Sequence, residues 1–520
     1  MGQEAVAANG GGGGRPHAVV VPYPLQGHVI PAVHLALRLA ARGFAVTFVN
    51  TESVHQQIAS GGGGGDDIFA GAAAGVRYEL VGDGFPLGFD RSLNHDQYME
   101  GVLHVLPAHV DELLRRLIGD ADAAAATCLV VDTFFVWPAT FARKFGVPYV
   151  SFWTEPALIF TLYYHMDLLT KNGHFNCKDD VPVLHQQDLL DVRWQWIGMM
   201  MDQPVGMGSP ARQGMVVAEP RKDTITYVPG VAAIEPRELM SYLQETDTTT
   251  VVHRIIFKAF EEARAADYVV CNTVEELEPS TIAALRAEKP FYAVGPILPA
   301  GFARSAVATS MWAESDCSQW LAAQPPASVL YISFGSYAHV TRGELHEIAR
   351  GVLASGARFL WVMRPDIVSS DDPDPLPNGF AAAAAGRGVV VPWCCQVEVL
   401  SHPAVGAFLT HCGWNSILES VWAGVPMLCF PLLTDQFTNR RLVSREWRVG
   451  VPVGDRGAVV ADEVRARIEG VMRGEEGERL REQVSKMRST LKAAVAPGGS
   501  SQRSFDELVD ELMCRCGGRR

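Results

Sequence analysis

Short apolar runs of strand length, each closed by a turn and followed by residues at helical spacing, recur along most of this 520-residue chain. In the front half they read HAVVVPYP (17–24), CLVVD (128–132), DYVVCNTVEELE (267–278) and FYAVGP (291–296). In the rear half they read VLYISFGS (329–336), FLWVMRP (359–365), GVVVPW (388–393), VGAFLTH (405–411) and PMLCFP (426–431). Near-continuous apolar strands alternating with helices predict parallel sheets covered by helices on both faces. The chain is too long for one core, and ILPAGFARSAVATS (297–310), rich in small residues and without a period, separates the two alternating halves. The expected order is a disordered tail at 1–15, a first domain at 16–296, a linker at 297–310, a second domain at 311–488 and a terminal segment at 489–520. In that last segment RSFDELVDELMCR (503–515) has amphipathic helical spacing. Within the first domain, 181–220 carries Trp and Met clusters but no clean period and reads as an insertion.

Open parallel sheets bind ligands beyond the carboxyl ends of their strands. His28 follows the first strand, ahead of the helical run AVHLALRLAARG (32–43), and Asp132 closes the strand CLVVD. A histidine and an aspartate at two strand ends of one sheet can meet. The imidazole then serves as general base and the carboxylate fixes its tautomer. His34, farther along the same helix, reads as structural. In the rear half the densest group of polar residues runs from Trp393 to Gln436. His411 ends a strand, Cys412-Gly413 makes a turn, and Trp414, Asn415 and Ser416 begin a helix, where free backbone N–H groups and the helix dipole favour an anion. No Lys or Arg occurs between Leu409 and Gly424, so such an anion is held by amides, the Asn and Ser side chains and a histidine rather than by formal charge. Glu419, one turn deeper on the face of Asn415, can accept hydrogen bonds from a diol. Trp393 offers a flat face, Gln396 reaches the same diol, and Asp435 and Gln436 offer donors and acceptors to hydroxyls. The set suits a molecule that is part base, part ribose, part diphosphate and part sugar. Ser333 and Ser336 in the SFGS turn are further candidate phosphate partners, and Gly335 between them allows close backbone approach.

The stretch 393–436 resembles the plant secondary-product glycosyltransferase signature, the nucleotide-sugar box of plant family 1 UDP-glycosyltransferases. Trp393, Gln396, His411, Trp414, Asn415, Ser416, Glu419, Asp435 and Gln436 all stand at the spacings of that signature. The departure is Cys394-Cys395, where many members have Ala-Pro; the backbone of Cys394 is expected to keep its contact. The resemblance implies the GT-B fold, two Rossmann-like domains with parallel sheets facing across a cleft. It also implies a terminal helix that crosses back to the first domain, His28 and Asp132 as the catalytic pair, and a UDP-sugar, most simply UDP-glucose in view of Gln436, as co-substrate. The reaction it implies is inverting and metal-independent, with no cofactor. The acceptor is expected to be a small hydrophobic phenol or alcohol such as a flavonoid, terpenoid or hormone, bound in the first domain near Phe85, Phe134, Phe135, Trp153 and Phe160.

A net charge of −14 argues against nucleic acid and anionic membranes as partners. No apolar run reaches membrane-spanning length, and the first 15 residues lack the apolar core of a signal peptide. Ten cysteines without a paired framework suit a reducing compartment. A cytoplasmic monomer is expected. Asp120-Ala-Asp122 and Asp372-Pro-Asp374 lie in polar or Pro-rich loops rather than at strand ends, so no metal site is expected. Two other readings compete. One is a binder of UDP-sugar without turnover. The other is a nicotinamide-dependent oxidoreductase, which needs three glycines after the first strand where YPLQGHVIP has one.

Overall fold

The computed structural model describes residues 15–62, 65, 67–70, 75–175, 220–307, 310–368, 375–454 and 458–517. The expected tail (1–15) and insertion (181–220) lie outside these residues except for Arg15 and Pro220, as do Asp372 and Asp374.

Among the described residues thirteen strands form two sheets, and every adjacent pair is parallel. The first contains β1 (His17–Val21), β2 (Ala45–Thr51), β3 (Val76–Val81), β4 (Thr127–Asp132), β5 (Tyr149–Trp153), β6 (Tyr268–Cys271) and β7 (Phe291–Ala293), in the order β3-β2-β1-β4-β5-β6-β7. The second contains β8 (Val329–Ser333), β9 (Arg358–Val362), β10 (Gly388–Val391), β11 (Val405–Thr410), β12 (Met427–Cys429) and β13 (Gly450–Pro452), in the order β10-β9-β8-β11-β12-β13. Strand β4 is buried at every residue and β11 likewise, as central strands covered on both faces require. The edge strand β10 has the same Val-rich composition but stays partly exposed.

Apolar layers fill both faces of the first sheet. One contains Val20, Val33, Phe48, Val130 and Val270; the other contains Val19, Leu103, Val110, Leu129 and Val131. The helix Ser500–Cys516 completes the former layer with Phe505, Leu508, Val509 and Leu512, so the end of the chain belongs to the first domain's core. The Arg38 guanidinium stands 4.1 Å from the centroid of the Phe505 ring, and Tyr292 Oη donates to Glu511 at 2.6 Å.

One difference from the sequence reading bears on the site. The first helix begins at Gln26 and runs to Ala41, six residues before the expected start, with Pro31 inside it. Proline has no N–H to give the carbonyl four residues back, here that of Gly27. Asn415 of the second domain takes its place: its Nδ2 donates to the Gly27 carbonyl at 2.7 Å. The cost of an internal proline is thereby offset by a contact between the domains. Other cross-domain bonds run from Trp414 Nε1 to the Asn272 carbonyl (2.7 Å), from Trp447 Nε1 to that of Leu277 (3.3 Å) and from Thr438 Oγ1 to that of Glu238 (2.7 Å). Among the described residues, no helix is long and apolar enough to cross a membrane.

Candidate active site

The carboxyl ends of both sheets face one cleft holding two adjoining cavities. The front cavity, about 220 Å³, is lined by His28, Phe134, Glu155, Asp435 and Gln436 among others. The rear cavity, about 590 Å³, is lined by Trp393, Cys394, Gln396, Ser416 and Glu419 among others. Gly27, Ser336, His411, Gly413, Trp414 and Asn415 border both and form their common wall.

In the front cavity, His28 occupies the first turn of its helix and Asp132 the end of β4, and the parallel pairing of β1 with β4 brings the two together. His28 Nδ1 lies 2.8 Å from Asp132 Oδ2. The other carboxylate oxygen accepts the Phe134 N–H at 3.0 Å, which fixes the carboxylate's rotation. With a carboxylate as partner, Nδ1 carries the hydrogen and Nε2 keeps its lone pair. Thr154 Oγ1 lies 3.0 Å from the same Nδ1. Tyr23 and Phe134 flank the imidazole at ring distances of 5.6 and 5.7 Å. Asp132 is only 1% exposed, whereas the His28 ring reaches the cavity.

The common wall is the N-terminus of the helix Trp414–Ala423, whose first-turn N–H groups have no partner within the helix. His411 is wedged between two glycines. A Cβ on Gly335 would stand 2.4 Å from its Nε2, and one on Gly413 2.5 Å away. Gly335 also needs its positive φ of 75°. Burial, helped by the Arg364 charge, pulls the His411 pKa down to about 4, so the imidazole is neutral at physiological pH. Beneath the SFGS turn lies Arg364, which sequence reading missed. It is 1% exposed and donates to the carbonyls of Gly335 (2.6 Å) and Ala338 (2.7 Å) and to Asp366 Oδ1 (2.9 Å).

In the rear cavity Trp393 has one face against Trp312, with ring centroids 6.1 Å apart and planes 30° apart. Cys394 is buried, and its segment pairs with Ser315, whose N–H donates to the Trp393 carbonyl at 2.9 Å. Gln396 lines the cavity and is also bonded within the protein. Its Nε2 donates to Ser416 Oγ (2.9 Å) and Glu419 Oε2 (2.7 Å), and its Oε1 accepts from Tyr331 Oη (3.2 Å), so it sets the positions of its neighbours. Burial pushes the Glu419 carboxyl up to about 7, with the Gln396 hydrogen bond opposing. Trp414 and Asn415 border both cavities while tying the second domain to Asn272 and Gly27.

Asp435 and Gln436 stand in the front cavity at the start of the helix Gln436–Arg441. Asp435 Oδ1 accepts from Thr434 Oγ1 at 2.7 Å, and burial raises its pKa. Gln436 Oε1 accepts the N–H groups of Leu432 (2.9 Å) and Leu433 (3.1 Å), which presents its NH2 to the remaining partners.

The expected acceptor residues need correction. Of the five aromatics, Phe134 alone lines the front cavity among the described residues. Phe135, Trp153 and Phe160 are core residues at 2%, 1% and 0% exposure, and Phe85 stacks on Phe89 at 4.4 Å away from the cavity lining. Phe134 and Phe135 follow β4 in a turn that sends the first toward the cavity and the second into the core. The apolar lining comes from Met99, Tyr163, Tyr242, Val252, Ile255 and Ile256. Several sit on helices whose other apolar residues are core, and no sequence signal separates the two sets.

Comparison with known proteins follows the same lines. A family model described as UDP-glucoronosyl and UDP-glucosyl transferase matches residues 246–487. UDP-glycosyltransferase 86A1 of Arabidopsis thaliana is 51% identical over 510 residues, covering 96% of this chain and 95% of that protein. Among solved structures, Os79 from O. sativa in complex with UDP superposes with a TM-score of 0.74 at 25% identity, covering 95% of this chain and all of that one. Phytolacca americana UGT2 complexed with UDP-2fluoro-glucose and pterostilbene superposes with a TM-score of 0.70 at 26% identity, covering 96% and 99%.

Proposed function

The chain belongs to the UDP-glycosyltransferase family and transfers a sugar from a UDP-sugar, and from that premise we propose an inverting, metal-independent transfer of glucose to a hydroxyl of a small hydrophobic acceptor. The observation that carries this reading is the shared wall of the two cavities. A nucleotide sugar with its base on Trp393, its ribose at Glu419 and its diphosphate at Ser336, His411 and the amides of 414–416 extends its sugar past that wall, toward Asp435, Gln436 and His28.

In this reading His28 Nε2 takes the proton of the acceptor hydroxyl as its oxygen bonds to the anomeric carbon, on the face opposite the departing group. The bond from that carbon to the phosphate oxygen breaks and its electron pair leaves with UDP. Asp132 stabilises the imidazolium, and the helix N-terminus meets the charge on the leaving diphosphate. Among the described residues no three His, Cys, Asp or Glu side chains are grouped as a metal ion would require. Glucose is favoured by Asp435 and Gln436, which offer acceptors and an NH2 to neutral hydroxyls. The apolar lining of the front cavity and the pterostilbene of the Phytolacca enzyme's complex support a flat hydrophobic acceptor. A cytosolic monomer completes the proposal.

The test is UDP release with UDP-glucose and a simple phenol in the presence of a chelator, with the product's anomeric configuration read by NMR. A β-glucoside is expected. Tight UDP-glucose binding with no acceptor-dependent UDP release selects the non-catalytic binder instead. The position of the base is tested separately. Trp393→Ala is expected to weaken UDP binding by about 1–3 kcal/mol, the usual worth of stacking a base on an aromatic ring. An unchanged calorimetric affinity puts the uracil elsewhere.

A further inference from the structure

Among the described residues Glu155 is the one acidic side chain lining the front cavity with no part in the chemistry above. It follows β5 in Thr154-Glu155-Pro156 and lines the cavity together with His28, Tyr163, Tyr242 and Asp435. An acid just before a helix is ordinarily a cap, but here that position is filled from elsewhere. Glu278 accepts the N–H groups of Ala157 (3.0 Å) and Leu158 (2.8 Å), the first residues of the helix Ala157–Tyr164. Glu155 contributes its backbone carbonyl, which accepts the Cys271 thiol at 3.3 Å. Its side-chain Oε2 is buried and has no hydrogen-bond partner. Among the described residues, no Lys or Arg lines the cavity. Burial, with the charges of Asp435 and Asp132 nearby, holds its carboxyl well above the usual carboxylate range. A buried carboxyl oxygen without a partner is costly in a folded chain, and a ligand that supplies the missing donor recovers that cost on binding.

We propose that Glu155 determines which acceptor is used: it hydrogen-bonds a second donor group, a hydroxyl or an amine, on the hydrophobic alcohol whose reacting hydroxyl lies at His28, and it excludes acceptors bearing a carboxylate. This rests on the transfer reading above. It divides the apolar lining into two ends, with His28 at the reacting end and Glu155 as the polar anchor. An acid brought into the cavity meets Asp435 in the lining and the charge of Asp132 behind it, with no Lys or Arg among the described lining residues to offset them.

Four phenols with one reacting hydroxyl and different remote groups test this: 4-propylphenol, 4-(2-hydroxyethyl)phenol, 4-(2-aminoethyl)phenol and 4-hydroxyphenylacetate. With UDP-glucose as donor, kcat/KM is expected to be at least ~tenfold higher for the hydroxyethyl or aminoethyl compound than for the propyl one, and lowest for the carboxylate. Whichever of the two rises names the donor group as hydroxyl or ammonium. In Glu155→Leu the propyl compound becomes the best of the four. Glu155→Gln, isosteric and the safer variant for folding, keeps the hydroxyethyl preference and relaxes exclusion of the acid. UDP affinity, the check on folding, is unchanged in both. A wild-type ranking led by the propyl compound, or one that Glu155→Leu leaves unaltered, overturns the assignment, as does a variant that raises only the KM for UDP-glucose. The same ranking is read independently by calorimetric titration of the phenols onto the UDP-loaded protein. Ranked binding without transfer defeats the transfer reading and keeps Glu155 in its role. Transfer at equal rates to all four does the reverse, and no binding of any phenol defeats the assignment.

Discussion

Replacing His28 with alanine is expected to lower kcat at least ~100-fold, the usual share of a positioned general base, while UDP affinity stays within about twofold. The split follows from geometry. His28 lines the front cavity with Asp435 and Gln436, whereas Trp393, Gln396 and Glu419 line the rear one. Asp132→Asn is expected to fall about as far for a different reason. The carboxylate 2.8 Å from Nδ1 requires the hydrogen on that nitrogen, and an amide NH2 in its place favours the other tautomer, whose Nε2 has no lone pair to offer. Thr154 Oγ1, 3.0 Å from Nδ1, is able to accept the same hydrogen, so some activity survives in Asp132→Asn. Steady-state kinetics with calorimetric UDP titration reads both variants. Full turnover in His28→Ala removes the base from this site, and a large loss of UDP affinity shows that the imidazole also supports donor binding.

The second large effect is expected from Arg364→Met. The guanidinium is 1% exposed and holds the carbonyls of Gly335 and Ala338. Methionine fills much of the same volume but donates nothing. A part-buried and a buried carbonyl lose their partners, at about 1–3 kcal/mol each, so the domain is expected to lose about 2–6 kcal/mol on denaturant unfolding. The consequence for binding is separate. Those carbonyls set the turn bearing Ser336 and the glycine against which His411 packs, so UDP affinity falls as well. Arg364→Lys, with one ammonium where the fork met two carbonyls, is expected to recover part of the stability and little of the geometry. Unchanged stability and affinity in Arg364→Met reduce this residue to a bystander.

Much of this was legible in the sequence because the signal is local. Buried parallel strands announce themselves as apolar runs, and residues at their carboxyl ends face the cleft, so His28, Asp132 and the polar residues from Trp393 to Gln436 stand out as candidates, while their roles come from the resemblance to the plant glycosyltransferase signature. What escaped depends on partners far away in the chain. The bonds of the Gln396 amide to Ser416 and Glu419 join residues 20 and 23 positions apart. Pro31 suggested a helix starting after it, because the replacement donor, Asn415, lies hundreds of positions away. Arg364 follows an ordinary strand, and only its burial against two carbonyls gives it importance. The acceptor wall was the poorest reading, since an apolar residue has the same sequence signature whether it faces the core or the cavity. Glu155 was missed for the opposite reason, as an acid beside a proline ahead of a helix looks like a cap until Glu278 is found in that place.

The closing helix, Ser500–Cys516, bears on how the protein comes to be folded. A ribosome delivers the front domain first, and such domains usually settle as they emerge. Here the layer containing Val20, Phe48 and Val130 lacks Phe505, Leu508 and Leu512 until the rear half has been translated. Throughout synthesis of the rear half, the nascent front half carries an uncovered oily strip, so its maturation is timed by the translation of its neighbour, and both halves reach their final form together.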